Sequence, residues 1–102
     1  SQIITKVSKG LTGFDENYNV VPNAAKRWEI KDKGKTYIFY LKDNVYFSDK
    51  TKLTSDLIKY NFIDVTTQTP YKSTIVFKLK NSYSPFLVTV ARPIFKTGFV
   101  GI

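Results

Sequence analysis

The stretch Arg27-Trp28-Glu29-Ile30-Lys31-Asp32-Lys33-Gly34-Lys35-Thr36-Tyr37-Ile38-Phe39-Tyr40-Leu41-Lys42 decides the fold. Two strand-like runs, Arg27 to Lys31 and Lys35 to Lys42, flank Asp32-Lys33-Gly34, which places glycine where a hairpin connection needs positive φ. In the second run Tyr37, Phe39 and Leu41 alternate with Ile38 and Tyr40. Apolar side chains therefore occupy both faces, which predicts a central strand. Asp43-Asn44 reads as a further tight turn into Val45-Tyr46-Phe47, which would extend the hairpin to a three-stranded antiparallel meander.

On the C-terminal side, Ser73 to Lys80 predicts another strand. Ile75, Phe77 and Leu79 point one way, and Val76, Lys78 and Lys80 the other, as a strand with one solvated face requires. Thr54 or Ser55 can cap a short helix with Asp56 in its first turn and Leu57, Ile58 and Phe62 on one apolar face. Pro70 would stop any continuation of that helix. Asn81 to Pro85 turns the chain, and Phe86 to Ala91 fits a short helix or a strand. Toward the N-terminus, Ile3, Ile4, Val7 and Leu11 stand at helical spacing, with Gly10 where a helix would end. That helix would start almost at Ser1 without a cap, as if a longer element had been cut. Gly13 to Pro22 is loop-like, and Pro22-Asn23 could begin a helical turn through Ala24, Ala25 and Lys26. The expected architecture is α+β: one domain over residues 1–102, with an antiparallel sheet of about four strands and two or three short helices against one face.

Composition bounds the chemistry. The 102 residues suffice for one domain with a modest core. Neither cysteine nor histidine occurs, which removes disulfides, thiolate nucleophiles and imidazole acid–base chemistry. The longest apolar runs fall far short of the roughly 20 residues of a membrane-spanning helix. The eight acidic residues suggest no acid–base pair, since Asp15, Asp32, Asp43 and Asp49 fall in turns and Asp56 at a helix start. No glycine-rich phosphate loop exists, so neither catalytic residues nor a cofactor or metal is expected, and the chain reads as a non-enzyme.

The net charge of +8 raises a nucleic-acid reading. Fourteen of the sixteen basic residues are lysine, however, spread from Lys6 to Lys96, whereas base readers lean on arginine. A solvated lysine surface is favoured. Trp28, Tyr37, Phe39, Tyr40, Tyr46 and Phe47 could stack on bases, but their alternating strand positions favour core and cross-strand packing.

From Gly10 to Ile30 the chain also resembles the early segment of the family 5 extracellular solute-binding proteins, carriers of oligopeptides, dipeptides or nickel. The similarity rests on Gly10-Leu11, on Pro22-Asn23-Ala24-Ala25 followed by Trp28-Glu29, and on Gly34-Lys35-Thr36-Tyr37-Ile38-Phe39-Tyr40-Leu41-Lys42. It continues through Val45-Tyr46-Phe47-Ser48-Asp49, Lys52 to Tyr60, Thr74 to Lys80, Tyr83-Ser84-Pro85-Phe86-Leu87 and Arg92-Pro93-Ile94-Phe95. The resemblance implies part of the first lobe of a two-lobed, hinged protein that grips its solute on closure and feeds an ABC importer. It implies a peptide ligand, a permease partner met through the full-length protein, no nucleic acid, and an extracellular or periplasmic location. Membrane attachment would run only through a lipid anchor outside this chain, as in a lipoprotein. Ser8, Lys9, Gly10, Leu11 and Thr12 form the expected cleft-facing loop.

Four departures from the family pattern bear on these expectations. Lys9 stands where a glutamate precedes the Gly-Leu pair, which reverses the local charge. Lys50 replaces the glycine of a Ser-Asp-Gly turn. Leu57 replaces the helix-opening acidic residue. Ile63 to Ser73 spans in eleven residues what the family fills with tens, which implies a trimmed or decayed gene or an excised domain. Lacking the second lobe, the chain is expected to bind peptide weakly or not at all. The alternatives are a basic nucleic-acid-binding β domain and a self-associating interaction module, a homo-oligomer joined through exposed strand edges.

Overall fold

In a computed structural model, which describes residues 6–96, the central hairpin forms as its sequence predicts. Strand β4 (Ala25–Lys31) pairs antiparallel with β5 (Thr36–Leu41), with Trp28 opposite Phe39 and Ile30 opposite Tyr37. Between them Asp32–Gly34 makes a single 3-10 turn in which Asp32, Lys33 and Gly34 take φ of 52°, 56° and 85°. The Thr36 hydroxyl donates to Asp32 Oδ2 at 2.6 Å and closes the turn from the side.

Strand β5 is central, as its two apolar faces require, but its second neighbour is β7 (Thr74–Leu79) and not Val45–Phe47. The sheet runs β4-β5-β7-β6, with β6 (Val65–Tyr71) on the far edge. The expected third meander strand reduces to one bridge between Tyr46 and Lys52. Phe47 still reaches the core while Tyr46 stays 54% exposed. Strand β6, which the sequence does not announce, forms a hairpin with β7 in which Tyr71 faces Thr74. Pro70 lies near its end, where the ladder shifts register. An edge strand tolerates proline because its outward N–H has no ladder partner to lose.

The N-terminal helix is not formed over the described residues. Lys6–Val7 is a short strand, β1, paired with β8 (Ile94–Phe95), and the remainder of that expectation lies outside the described residues. Val7 and Leu11 are buried all the same, so their spacing marked burial and not a helix. A helical turn at Ala24–Lys26 is also absent, because Ala25 already belongs to β4. Strands β2 (Thr12–Phe14) and β3 (Val20–Pro22) form a small ribbon. The Leu57–Ile58 helix shrinks to the 3-10 turn Ser55–Leu57 without a side-chain cap. Phe86–Thr89 resolves as a one-turn helix, α1.

The core lies on one sheet face. Phe39, Phe77 and Phe86 are essentially sealed from solvent, with Phe77 and Phe86 centroids 5.4 Å apart at 65° and Phe39 and Phe77 5.8 Å apart at 74°. Such edge-to-face pairs add about 0.5–1.5 kcal/mol each beyond the area they bury. Tyr37 and Phe62 extend the cluster onto α1. Of the aromatics weighed for base stacking, Tyr37, Phe39 and Phe47 are core, Trp28 packs partly buried against it, and Tyr40 lies on the outer face beneath Arg27. The family turn that carries glycine is built here by Lys50 at φ 72°, a left-handed residue without glycine's freedom.

Candidate functional site

The expected loop Ser8–Thr12 is fastened on two sides by its backbone. The N–H groups of Gly10 and Leu11 donate to the carbonyls of Ala91 (3.1 Å) and Val90 (2.9 Å), just past the end of α1. On the other side Ala24 N donates to Gly10 O at 3.3 Å and Ala25 N to Leu11 O at 3.0 Å, so the loop bridges α1 to the start of β4. The Asn23 side-chain amide adds a 2.8 Å bond to Gly10 O. The Thr12 hydroxyl donates to Leu87 O at 2.6 Å, satisfying a carbonyl that the one-turn helix leaves open. Gly10 has no room for a side chain: a Cβ there would lie 2.7 Å from the Ala91 carbonyl carbon and overlap the carbonyl oxygens of Val90 and Arg92.

The five residues therefore divide. Leu11 and Thr12 are wholly buried and Gly10 is packed against backbone, so these three position the loop. Ser8 and Lys9 are exposed and present their side chains outward. The Lys9 stem runs beside Gly13, 3.4 Å from where a Cβ would stand, so its aliphatic part rests on the β2–β3 ribbon.

A groove lies between the segment leading into β6 and the segment leading into α1, with a volume of about 580 Å³. Phe62, Val65, Leu79 and Phe86 give it an apolar floor, and Asn61, Asn81 and Arg92 stand at its polar margin. The Arg92 guanidinium sits 5.6 Å from the centre of the Phe62 ring. Tyr60 ties the segment to the loop's anchor, donating to Val90 O at 3.2 Å and also reaching Arg92 O. Burial pushes its hydroxyl well above the usual tyrosine range, so it remains a donor at any physiological pH. Sequence reading misses this groove because its two walls are some twenty residues apart in the chain. The only local signal is the Tyr60-Asn61-Phe62 aromatic pair.

Asp15, Glu29, Asp49 and Asp56 are occupied by local structure. Asp15 Oδ1 accepts the N–H groups of Asn17 and Asn19, and the Asn19 backbone bond chiefly lowers its pKa. Asp49 accepts Lys96 Nζ at 2.7 Å and Thr51 N at 2.9 Å, which brings its pKa down to about 2, with the lysine as the main cause. Asp56 pairs with Lys72 at 3.2 Å. Glu29 accepts the Tyr40 hydroxyl at 2.9 Å and lies between Arg27 and Lys31. Among the described residues no three acidic side chains converge as metal ligands. Among them too, no helix is long and apolar enough to cross a membrane.

Residues 19–68 match the family model of bacterial extracellular solute-binding proteins, family 5 Middle. The chain is 41% identical over 56 residues to the Escherichia coli (strain K12) protein named "Probable deoxycholate-binding periplasmic protein YgiS", covering 55% of this chain and 10% of that one. It is 30% identical over 88 residues to "Probable D,D-dipeptide-binding periplasmic protein DdpA" of the same organism, covering 72% of this chain and 17% of the relative. The crystal structure of NikZ from Campylobacter jejuni in complex with Ni(L-His) superposes on 83% of this chain and 21% of its own, with a TM-score of 0.77 and 29% identity. The chain thus spans between a tenth and about a fifth of the length of these proteins.

Proposed function

Because the chain belongs to the family 5 extracellular solute-binding proteins, we propose that it serves solute capture for import, as part of one lobe of a binding protein that hands an oligopeptide to an ABC transporter. The observation that carries this reading is the agreement of sequence and fold over the same stretch, at 29% identity and a TM-score of 0.77 to NikZ. The mechanism is passive. A preformed surface on this lobe receives the solute, and closure of a second lobe excludes water and strengthens each polar contact.

Ser8–Thr12 is the ligand-facing loop in this proposal. Gly10, Leu11 and Thr12 hold it rigidly against α1, while Ser8 and Lys9 supply the contacts. A lysine ammonium favours a carboxylate, so Lys9 takes the anionic end of the peptide. Two of the relatives are named for deoxycholate and a D,D-dipeptide, and NikZ is in complex with Ni(L-His). Each of these carries a carboxylate in the chemistry of its name, which suits the same side chain. The protein binds its solute without transforming it, in keeping with its family of solute-binding proteins. It works outside the cytoplasm, attached to the membrane through a lipid anchor outside this chain, and its partner is the importer's permease.

Calorimetric titration with a pool of short peptides, beside a single-stranded oligonucleotide at two salt concentrations, tests the proposal. The expected result is weak peptide binding that weakens only modestly with salt, as one exposed ion pair requires, and falls in Lys9→Ala. Tight oligonucleotide binding that collapses with added salt, with no peptide heat, overturns it.

A further inference from the structure

The lysines that look scattered in sequence gather at one end of the sheet. The β4–β5 turn, the end of β7 and the start of β6 all lie there, because Lys31 faces Thr36, Thr36 faces Lys78, and Lys78 faces Thr66. Strands stand about 4.8 Å apart, so Lys31 and Lys78 are separated by about 10 Å on the same outer face. Lys33 and Lys35 belong to the turn itself, and the Leu79 N–H donates to Lys35 O at 2.8 Å, which brings Lys80 beside them. All five lysines are exposed. Among the described residues Lys33, Lys35, Lys78 and Lys80 have no carboxylate within ion-pair distance. Glu29, Asp32 and Asp64 are the acids at this end; Glu29 lies 4.0 Å from Lys31, and Asp32 is already bonded to Thr36.

Two apolar side chains stand beside the basic cluster. Asp64, at φ 59°, turns the chain into β6 and its carbonyl accepts the Lys80 N–H, which leaves the neighbouring Ile63 92% exposed. Tyr83, 52% exposed, follows from Ser82, whose Cβ lies 3.3 Å from where a side chain would start at Gly34. Ile63 and Tyr83 border the same groove.

We propose that this end of the sheet docks on an anionic phospholipid surface, with Lys31, Lys33, Lys35, Lys78 and Lys80 against the phosphates and with Ile63 and Tyr83 at the headgroup level. Three features favour a bilayer over a folded polyanion. The cationic groups are flexible lysines spread over an open surface, which suits delocalised charge better than one bidentate site. An exposed isoleucine and a tyrosine beside lysines are the composition of an interfacial anchor. No arginine stands among the five, whereas base readers depend on it. The proposal goes beyond solute capture and holds whatever the ligand is.

The test is flotation of the protein with vesicles of phosphatidylcholine alone and of phosphatidylcholine mixed with phosphatidylglycerol. Binding is expected only to the mixed vesicles, weakening as salt shortens the reach of charge to about 8 Å and below. Each neutralised lysine should lower partitioning by about fivefold. The combined variant Lys33→Gln, Lys35→Gln, Lys78→Gln and Lys80→Gln should then lose more than about a hundredfold in partitioning. A charge-matched control with Lys26→Gln, Lys50→Gln, Lys52→Gln and Lys59→Gln should keep most of it. Ile63→Asp should cost about a further tenfold. Circular dichroism on each variant establishes that it is folded. Equal losses in the two lysine sets would reduce the effect to net charge and overturn the proposal. So would equal binding to neutral vesicles, absence of binding to the mixed ones, or tighter binding to a single-stranded oligonucleotide at equal phosphate.

Discussion

Gly10–Leu11 and β6 divide the usual association of regular structure with burial. The first is a loop whose residues are sealed from solvent, with backbone groups bonded to Val90, Ala91, Ala24 and Ala25. The second is a seven-residue strand paired with β7 along one side, with one register shift between Gln68 and Tyr71, yet six of its positions are exposed. What a segment contributes follows from the neighbours it excludes from water, and not from whether it is a helix or a strand. The largest predicted effect is accordingly in the loop. Gly10→Ala puts a methyl group into the carbonyls that follow α1, and these are backbone atoms with no rotamer to escape to. The expected cost is about 3–5 kcal/mol, a large part of the stability of a domain this size. Urea denaturation would measure it, and an unchanged midpoint would mean that the loop does not clamp α1.

Thr12→Val separates the hydrogen bonding of that loop from its packing. The substitution keeps the shape of a fully buried side chain and deletes only the donor to Leu87 O. Because the carbonyl belongs to a one-turn helix, no other partner is in place, and the orphaned acceptor should cost about 1–2 kcal/mol. Thr12→Ser, which keeps the hydroxyl, should lose less than Thr12→Val despite being smaller. The reverse order would assign the site to packing.

The same contrast governs how much the sequence discloses. The hairpin β4–β5 is legible because its signals are local: alternation in Tyr37–Leu41 and a glycine in the turn. Strand β7 is legible for the same reason, through Ile75, Phe77 and Leu79. Strand β6 is not, because Val65-Thr66-Thr67-Gln68-Thr69 has no apolar face of its own; its place is set by pairing with β7, and Pro70 signals a break only to a reader expecting a helix. The strand expected at Val45–Phe47 fails because β7 has taken the edge of β5 that it would have used. At the candidate site, Gly10 is visible only as the expected end of a helix, but its partner is the Ala91 carbonyl, some eighty residues away. No window of sequence joins those two. The groove between Phe62 and Phe86 is hidden for the same reason.

A smaller effect is expected where a turn is held by charge. Asp49 has its pKa depressed to about 2 by Lys96 and by the Thr51 N–H. A carboxyl with a folded pKa below its unfolded value, near 3.8, stabilises the protein fully above pH 4. That contribution fades as the pH falls from about 4 through about 2. Asp15 and Asp56 shift in the same direction, so the native protein should lose melting temperature over this interval. Asp49→Asn should reduce the slope there while leaving the slope above pH 5 unchanged. An unaltered acid profile in the variant would mean that the Lys96 pair is not populated in solution.

The smallest effect should come from the strand that is regular but exposed. Thr69 lies in β6, inside the register shift of its ladder with β7, and its side chain is exposed. Thr69→Ala removes a β-branched residue from an edge, where strand propensity matters little and no packed neighbour is lost. The expected change is within about 0.5 kcal/mol, although the residue sits in regular secondary structure. The same truncation at Thr12, in no better-ordered backbone, should cost several times more. Measured side by side by urea denaturation, the two alanine variants decide whether exclusion of water or regularity of backbone sets the contribution of a segment. A loss at Thr69 equal to that at Thr12 would require β6 to be covered in solution, by a second copy or by another part of the protein.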